Sequence, residues 1–107
     1  MFANNTRDFS SGNTTLISEG TRIVGDLHFT GNLEIEGQVI GNILSSEVGG
    51  RVRVLPTGVV TGDIHSPIAV INGRIEGSVY SSEEVHLAAT SYVEGNLYYV
   101  LIEIEKG

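Results

Sequence analysis

VTGDI, at residues 60–64, is one of five copies of a single pentapeptide pattern in this chain. The pattern is an aliphatic residue, any residue, glycine, a small polar residue and a second aliphatic residue. Its copies are IVGDL (23–27), VIGNI (39–43), VTGDI (60–64), IEGSV (75–79) and VEGNL (93–97). The glycines at 25, 41, 62, 77 and 95 are therefore 16, 21, 15 and 18 residues apart. A recurrence of about 17 or 18 residues is typical of stacked repeats, in which each repeat forms one coil of a solenoid.

A second, weaker element lies between the copies and repeats with the same period. It comprises LEI (33–35), VRV (52–54), IAV (68–70), VHL (85–87) and IEI (102–104). Short Val, Ile and Leu strands with Gly, Asn and Asp turns, and no helical stripe, predict an all-β chain. Its coils would stack about 4.8 Å apart with their backbones paired. We predict four inward apolar columns: Ile23, Val39, Val60, Ile75 and Val93; Leu27, Ile43, Ile64, Val79 and Leu97; Leu33, Val52, Ile68, Val85 and Ile102; Ile35, Val54, Val70, Leu87 and Ile104.

Each glycine stands between two inward residues, where a corner or bulge with positive φ is expected. The next residue is of a type that bonds to nearby backbone at turns, and stacking of the coils would form a polar column. This column is Asp26, Asn42, Asp63, Ser78 and Asn96. The longest interval between copies contains LSSEVGGR (44–51), which predicts a loop that leaves the solenoid.

The residue after each copy forms an outward column that is partly aromatic: His28, Leu44, His65, Tyr80 and Tyr98. A metal site here is disfavoured, because His28 and His65 would lie two coils, roughly 9–10 Å, apart. Leu44 would also stand between them. The column is therefore a candidate lateral contact or partner surface.

Composition excludes several classes of function. A chain of 107 residues predicts a single domain. Six Lys and Arg against 13 Asp and Glu give a net charge of −7, which disfavours nucleic acid as a partner. The absence of cysteine excludes disulfide scaffolds, thiolate metal sites and a cysteine nucleophile, and makes the cytoplasm the default compartment. No phosphate-loop or nucleophile-elbow motif occurs, so we expect no nucleotide, no cofactor, no metal and no catalytic site.

The chain divides into a tail and a body. Residues 1–14, MFANNTRDFSSGNT, are polar and without periodicity, which predicts a disordered tail. Residues 15–107 contain all the repeats and are predicted to form one solenoid domain. No run of 18 apolar residues occurs, so we expect no membrane-spanning segment.

The spacing of the aliphatic residues bears on the hand of the coil. The left-handed β-helix of hexapeptide acyltransferases has an aliphatic residue at every sixth position, and Leu27, Leu33 and Val39 fit that rule. The rule fails at Ser45 and again at Glu76. The irregular spacing favours a right-handed parallel β-helix.

The string EGTRIVGDLHFTGNLEIEGQVIGNI (19–43), with GVVTGDI (58–64), GRIEGSVYS (73–81) and YVEGNLYYVLIEIEKG (92–107), resembles the bactofilin family. The resemblance covers residues from about 15 to 107. It implies a right-handed parallel β-helix that polymerises without nucleotide into non-polar cytoskeletal filaments, often at the bacterial inner membrane. Many bactofilins begin Met-Phe and touch the membrane with that end, so Met1 and Phe2 are the implied membrane contacts. Cell-wall or division proteins are candidate partners.

The two ends of such a solenoid are the predicted sites of self-association. Solenoids normally protect their open ends with atypical repeats or a helix, and this sequence offers neither. We predict that terminal coils meet end to end. The predicted interface residues are Leu16, Ile17, Ile23, Leu27 and Phe29 at one end, and Leu97, Tyr99, Val100, Leu101, Ile102 and Ile104 at the other. Two alternatives remain, an enzyme of the hexapeptide acyltransferase type and a β-solenoid binding module that uses the outward column.

Overall fold

The computed structural model describes residues 13–106, and every regular element within them is a β-strand. Sheet one contains β1 (Thr14–Ile17), β4 (Asn32–Ile35), β7 (Arg51–Val54), β10 (Ile68–Ile71), β13 (Glu84–Leu87) and β16 (Leu101–Ile104). Sheet two contains β2 (Arg22–Val24), β5 (Gln38–Ile40), β8 (Val59–Thr61), β11 (Arg74–Glu76) and β14 (Tyr92–Glu94). Sheet three contains β3 (Leu27–His28), β6 (Ile43–Leu44), β9 (Ile64–His65), β12 (Val79–Tyr80) and β15 (Leu97–Tyr98).

The chain visits the three sheets in turn, so three consecutive strands make one coil. The described residues form five coils and one further strand, β16. Every pair of neighbouring strands is parallel, and strand length is constant within a sheet: four residues in sheet one, three in sheet two and two in sheet three. The predicted all-β solenoid is confirmed. The right hand of the coil stays a prediction.

Two of the four predicted apolar columns are confirmed in full. In sheet two, Ile23, Val39, Val60, Ile75 and Val93 are in register from coil to coil. In sheet three, Leu27, Ile43, Ile64, Val79 and Leu97 are in register. The members in the inner coils are fully buried, which places the core along the axis of the solenoid.

The other two columns were predicted wrongly at one coil. In β10 it is Ala69, between Val52 and Val85, and Ile71, between Val54 and Leu87, that face the core. Ile68 and Val70 face outward. Residues 68–71 are IAVI, so every position is apolar and alternation alone does not fix which residues point inward. The fixed register of the neighbouring strands decides it, and Ala69 and Ile71 are fully buried.

The predicted turn at each glycine is confirmed, and the polar column forms a ladder of hydrogen bonds. Gly62 has a φ of 146°, a conformation that other residues rarely adopt. The backbone N–H of Asp63 donates to Oδ1 of Asn42 at 3.0 Å, and that of Ser78 donates to Oδ1 of Asp63 at 2.9 Å. Bonds from Asn42 to Asp26 and from Asn96 to Ser78 complete the series. Each side chain therefore ties its own coil to the following one.

The described part of the chain begins at the edge of sheet one, and the division into a tail and a body stays a prediction. The first strand begins at Thr14, and the backbone oxygen of Asn13 already accepts a hydrogen bond from Asn32 N–H at 2.7 Å. The predicted loop is present between β6 and β7, where residues 45–50 form no strand. The predicted membrane contacts Met1 and Phe2 lie outside the described residues.

Candidate functional site at the two ends of the solenoid

Each end of the solenoid presents three strands that have a neighbour on one side only. At the N-terminal end these are β1, β2 and β3, and at the C-terminal end they are β14, β15 and β16. Unpaired strand edges are templates for pairing with another chain, and proteins normally cover or charge them. In the part of the chain that the structure describes, no helix covers either end.

The N-terminal end is an open slice of the core. Ile17 is buried, whereas Ile23, Leu27 and Phe29 are half-buried because no coil lies beyond them. Together with the buried Leu33 they line an open cavity of about 250 Å³. Four of the five residues predicted for this end therefore lie around it.

Leu16, the fifth predicted residue, lies on the outer face of the same coil. It is in register with Glu34 of β4, whose side chain also points outward, and it is 51% exposed. It is close to the strand edge but does not cover the open core.

The C-terminal end exposes the core in the same way. Val93, Leu97 and Ile102 are half-buried, although the residues one coil earlier in their columns are fully buried. Ile104 belongs to an inward column and is still 67% exposed. Val93 was not among the predicted interface residues, although its place in the first apolar column puts it at the open core of this end.

The remaining predicted residues of this end surround the open core. Tyr99 and Val100 lie in the corner between β15 and β16, and both are exposed. Leu101 points outward from β16, in register with Glu84, and is 62% exposed. The C-terminal end thus carries an apolar rim as well as an apolar centre.

One corner position differs between inner and terminal coils. The residue that follows the outward column is Phe29, Ser45, Ser66, Ser81 and Tyr99 in successive coils. Ser66 and Ser81 are buried, and their hydroxyls donate to carbonyl oxygens of Gly50 and Pro67. The inner coils therefore have a small residue at this corner, and only the two terminal coils have a ring there. Sequence reasoning named Phe29 and Tyr99 but missed this substitution.

The outward column of sheet three is confirmed, and part of it is an aromatic ladder. The rings of His65 and Tyr80 have centroids 4.4 Å apart and planes 9° apart, and those of Tyr80 and Tyr98 are 4.8 Å and 5° apart. His28 is separated from His65 by Leu44, so the two imidazoles do not meet. The ladder ends at the C-terminal end, where Tyr98 is half exposed.

Charged side chains pair along the outer faces of the solenoid. Arg53 donates to Glu34 at 3.0 Å on sheet one. On sheet two, the hydrogen bond from Arg74 at 2.7 Å lowers the pKa of Glu76, and the same bond raises the pKa of Arg74. The guanidinium of Arg74 also lies 4.4 Å from the ring centroid of Tyr92 on the terminal strand β14. These exposed pairs contribute little to stability, and their main effect is to keep the sides of the solenoid polar.

The sides of the solenoid carry charged and histidine side chains that link neighbouring strands. No group of three or more His, Cys, Asp or Glu side chains among residues 13–106 is placed to hold a metal ion. No helix in that range is long and apolar enough to cross a membrane. His86 lies 2.8 Å from both Glu84 and Glu103, which links β13 to the terminal strand β16. The two ends are the main candidate surfaces because each combines unpaired strands with an open slice of the core.

Comparison with known proteins identifies the family. The sequence model of the bactofilins, described as polymer-forming cytoskeletal proteins, matches residues 15–107. The chain belongs to the bactofilin family. The searches of curated proteins and of solved structures gave no match for this bactofilin. The resemblance found in the repeats is confirmed, and membership of a structural family supports a role as a cytoskeletal polymer.

Proposed function

We propose that this bactofilin is a structural scaffold that polymerises end to end, without nucleotide, into non-polar filaments at the inner face of the bacterial membrane. The observation that carries the proposal is the pair of uncovered ends. Each end has three strands with unpaired edges and a slice of apolar core in the middle. A second copy of the chain offers the same strand spacing and the same apolar centre.

Burial of the apolar residues supplies the driving force. Ile23, Leu27 and Phe29 at the N-terminal end, and Val93, Leu97 and Ile102 at the C-terminal end, are only half-buried. Complete burial of a large apolar side chain contributes about 1.5–3 kcal/mol, before the entropy lost on association. Several partly exposed side chains at each end are therefore enough for association, and nucleotide hydrolysis is not required to supply the energy.

A head-to-tail continuation of the coil pairs edge strands of unequal length. A head-to-tail contact that continues the coil after β16 would place β1 on β14, β2 on β15 and β3 on β16. In this contact a four-residue strand would pair with a three-residue strand, a three-residue strand with a two-residue strand, and a two-residue strand with a four-residue strand. A contact between like ends related by a two-fold axis pairs the same surface with itself. Contacts between two N-terminal ends that alternate with contacts between two C-terminal ends give a filament without polarity.

The tail supports the proposed membrane location. The tail joins the body at the N-terminal end of the solenoid, because Asn13 directly precedes β1, the edge strand of sheet one. In a non-polar filament each contact between N-terminal ends brings two tails together. Met1 and Phe2 of one copy would bind a bilayer weakly, but many tails on one filament bind with avidity. Cell-wall and division proteins are the proposed partners at that membrane.

Electron microscopy of the purified protein tests the proposal. In buffer without nucleotide, we expect filaments one solenoid wide with no difference between their two directions. Addition of ATP or GTP is the control and should change neither their number nor their length. Compact trimers would instead support the acyltransferase type of solenoid. Monomers at micromolar concentration would support a binding module that uses the outward column.

A further inference from the structure

We propose that two copies meet at their C-terminal ends about a two-fold axis that passes beside Tyr98, so that the Tyr98 ring of each copy stacks on that of the other. The proposal rests on the proposed function, because it specifies the partner and the contact at one of the two ends. The partner is a second copy of this chain.

The aromatic ladder ends in an uncovered ring face. The rings of His65, Tyr80 and Tyr98 are nearly parallel, and their centroids are 4.4 and 4.8 Å apart. This distance is close to the spacing of neighbouring strands, so the ring normals run along the solenoid axis. The inner face of the Tyr98 ring is covered by Tyr80, whereas Tyr98 as a whole is 49% exposed. One more aromatic ring at the strand spacing would extend the ladder.

The position of β15 within the last coil supports the same axis. The chain advances one strand spacing per coil of three strands, so each strand lies on average a third of a spacing, roughly 1.6 Å, beyond the previous one. A two-fold axis perpendicular to the solenoid maps one sheet onto itself and exchanges the other two. The two copies face each other through three pairs of edge strands, one pair for each sheet. The distances within the three pairs are equal only if the axis crosses the middle strand of the last coil. The last coil is β14, β15 and β16, and its middle strand carries Tyr98.

The side-chain alternation of β15 agrees with an axis at Tyr98. Leu97 faces the core and Tyr98 faces outward. A radial two-fold axis keeps inward residues inward and pairs the strand with itself in the antiparallel direction. With Tyr98 opposite its own copy, Leu97 lies opposite Tyr99 of the second copy. The apolar residues at the edge of the core therefore face one another.

The aromatic ladder does not extend to the N-terminal end. In its coil the outward position is His28, and the next residue in the ladder direction is Leu44, which has no ring to stack on. A head-to-tail contact would place β2 on β15, with Arg22, Ile23 or Val24 against Tyr98. Extension of the ladder that ends at Tyr98 is therefore available in the contact between two C-terminal ends and not in this head-to-tail contact, which favours like ends there.

Disulfide trapping tests the axis, because the chain has no cysteine of its own. Residues directly opposite in an antiparallel pair have Cβ atoms about 4.5–5.5 Å apart, near the range that a disulfide needs. We expect the Tyr98→Cys variant, assembled under reducing conditions and then oxidised mildly, to give covalent dimers on a denaturing gel. The matched control is Tyr80→Cys, which lies one coil earlier in the same ladder and is also exposed.

The outcomes separate this proposal from the proposed function. Dimers from Tyr98→Cys alone support the axis. Dimers from both variants would show a lateral contact between filaments and would overturn it. Filaments that form while Tyr98→Cys gives no dimers would overturn the axis and leave end-to-end assembly intact. An unsubstituted chain that forms no filaments and a Tyr98→Cys variant that gives no dimers would overturn both.

A second pair of variants tests the stacking without a disulfide. Tyr98→Phe keeps the ring and should leave the critical concentration for assembly unchanged. Tyr98→Ser removes the ring and should raise the critical concentration about two- to tenfold, the range expected for one aromatic pair. Equal critical concentrations for Tyr98→Ser and the unsubstituted chain would contradict the stacking.

Discussion

A methyl group on Gly62 would overlap the carbonyl oxygen of Gly41 one coil below. The same relationship holds from Gly41 to Gly25, from Gly77 to Gly62 and from Gly95 to Gly77. The glycines of the last four copies, at 41, 62, 77 and 95, therefore have two functions. They adopt the positive φ of the corner, and they allow two coils to approach at strand spacing where a side chain would separate them.

The first prediction concerns this close approach. Gly62→Ala should destabilise the fold by at least about 3 kcal/mol, because it combines a strained φ with a clash against backbone. Gly49→Ala is the control, since Gly49 also has a positive φ, of 81°, but no atom lies within 4 Å of its added methyl group. We expect the control to cost about 1–2 kcal/mol. Equal thermal unfolding of the two variants would contradict the clash.

The sequence predicts a structural feature well where every copy of the repeat has the same type of residue at that position. The polar column from Asp26 to Asn96 was predictable, because each copy of the pattern has the same residue type at the same place. The inward residues of β10 were not, because IAVI is apolar throughout and the neighbouring strands impose the register. Leu16 and Leu101 were assigned to the ends because they are apolar residues of the terminal coils, but strand alternation turns them outward.

The register of β10 gives a second prediction. Ala69→Asp places an unpaired carboxylate in the core between Val52 and Val85, so this variant should not fold. Val70→Asp places the carboxylate on the outer face next to Arg53 and should fold with a change of less than about 1 kcal/mol. Circular dichroism during thermal unfolding distinguishes the two variants. The reverse result would mean that the register shown for this strand is wrong.

The charge of the protein gives a third prediction. Each copy carries a net charge of −7, and a contact between C-terminal ends brings together Glu94, Glu103 and Glu105 of two chains. Salt shortens the Debye length from about 30 Å at 0.01 M to about 8 Å at 0.15 M, so it weakens this repulsion. We expect the critical concentration, measured by light scattering, to fall several-fold over that range. The critical concentration of the Glu94→Gln variant should change less with salt. If salt raised the critical concentration of the unsubstituted chain, the contact would instead be held by ion pairs.

The tail gives a fourth prediction. Deletion of residues 2–9 should leave thermal unfolding and filament formation unchanged, because the repeats begin after this segment. Binding to liposomes, measured by flotation so that free filaments do not interfere, should fall at least several-fold. The variant Phe2→Ser is the narrower test and should lower binding in the same direction. Equal flotation with and without the tail would refute its membrane role.

The final prediction distinguishes a non-polar filament from a head-to-tail one by closing one end at a time. Ile102→Arg adds a charge to the open core of the C-terminal end, and Phe29→Arg adds one to the N-terminal end. A buried unpaired charge weakens a contact by about 2–5 kcal/mol, which is enough to abolish it at micromolar concentration. In a non-polar filament the opposite end of each variant remains competent, so each should form dimers.

The double variant Ile102→Arg with Phe29→Arg should be monomeric. Val48→Arg is the control with the same charge, because Val48 is 91% exposed in the loop between β6 and β7 on the side of the solenoid, and it should still form filaments. Analytical ultracentrifugation distinguishes monomers, dimers and filaments. If each single variant were monomeric, both contacts of every copy would involve unlike ends, and the filament would be polar. If the double variant still formed filaments, the contacts would lie on the sides of the solenoid rather than at its ends.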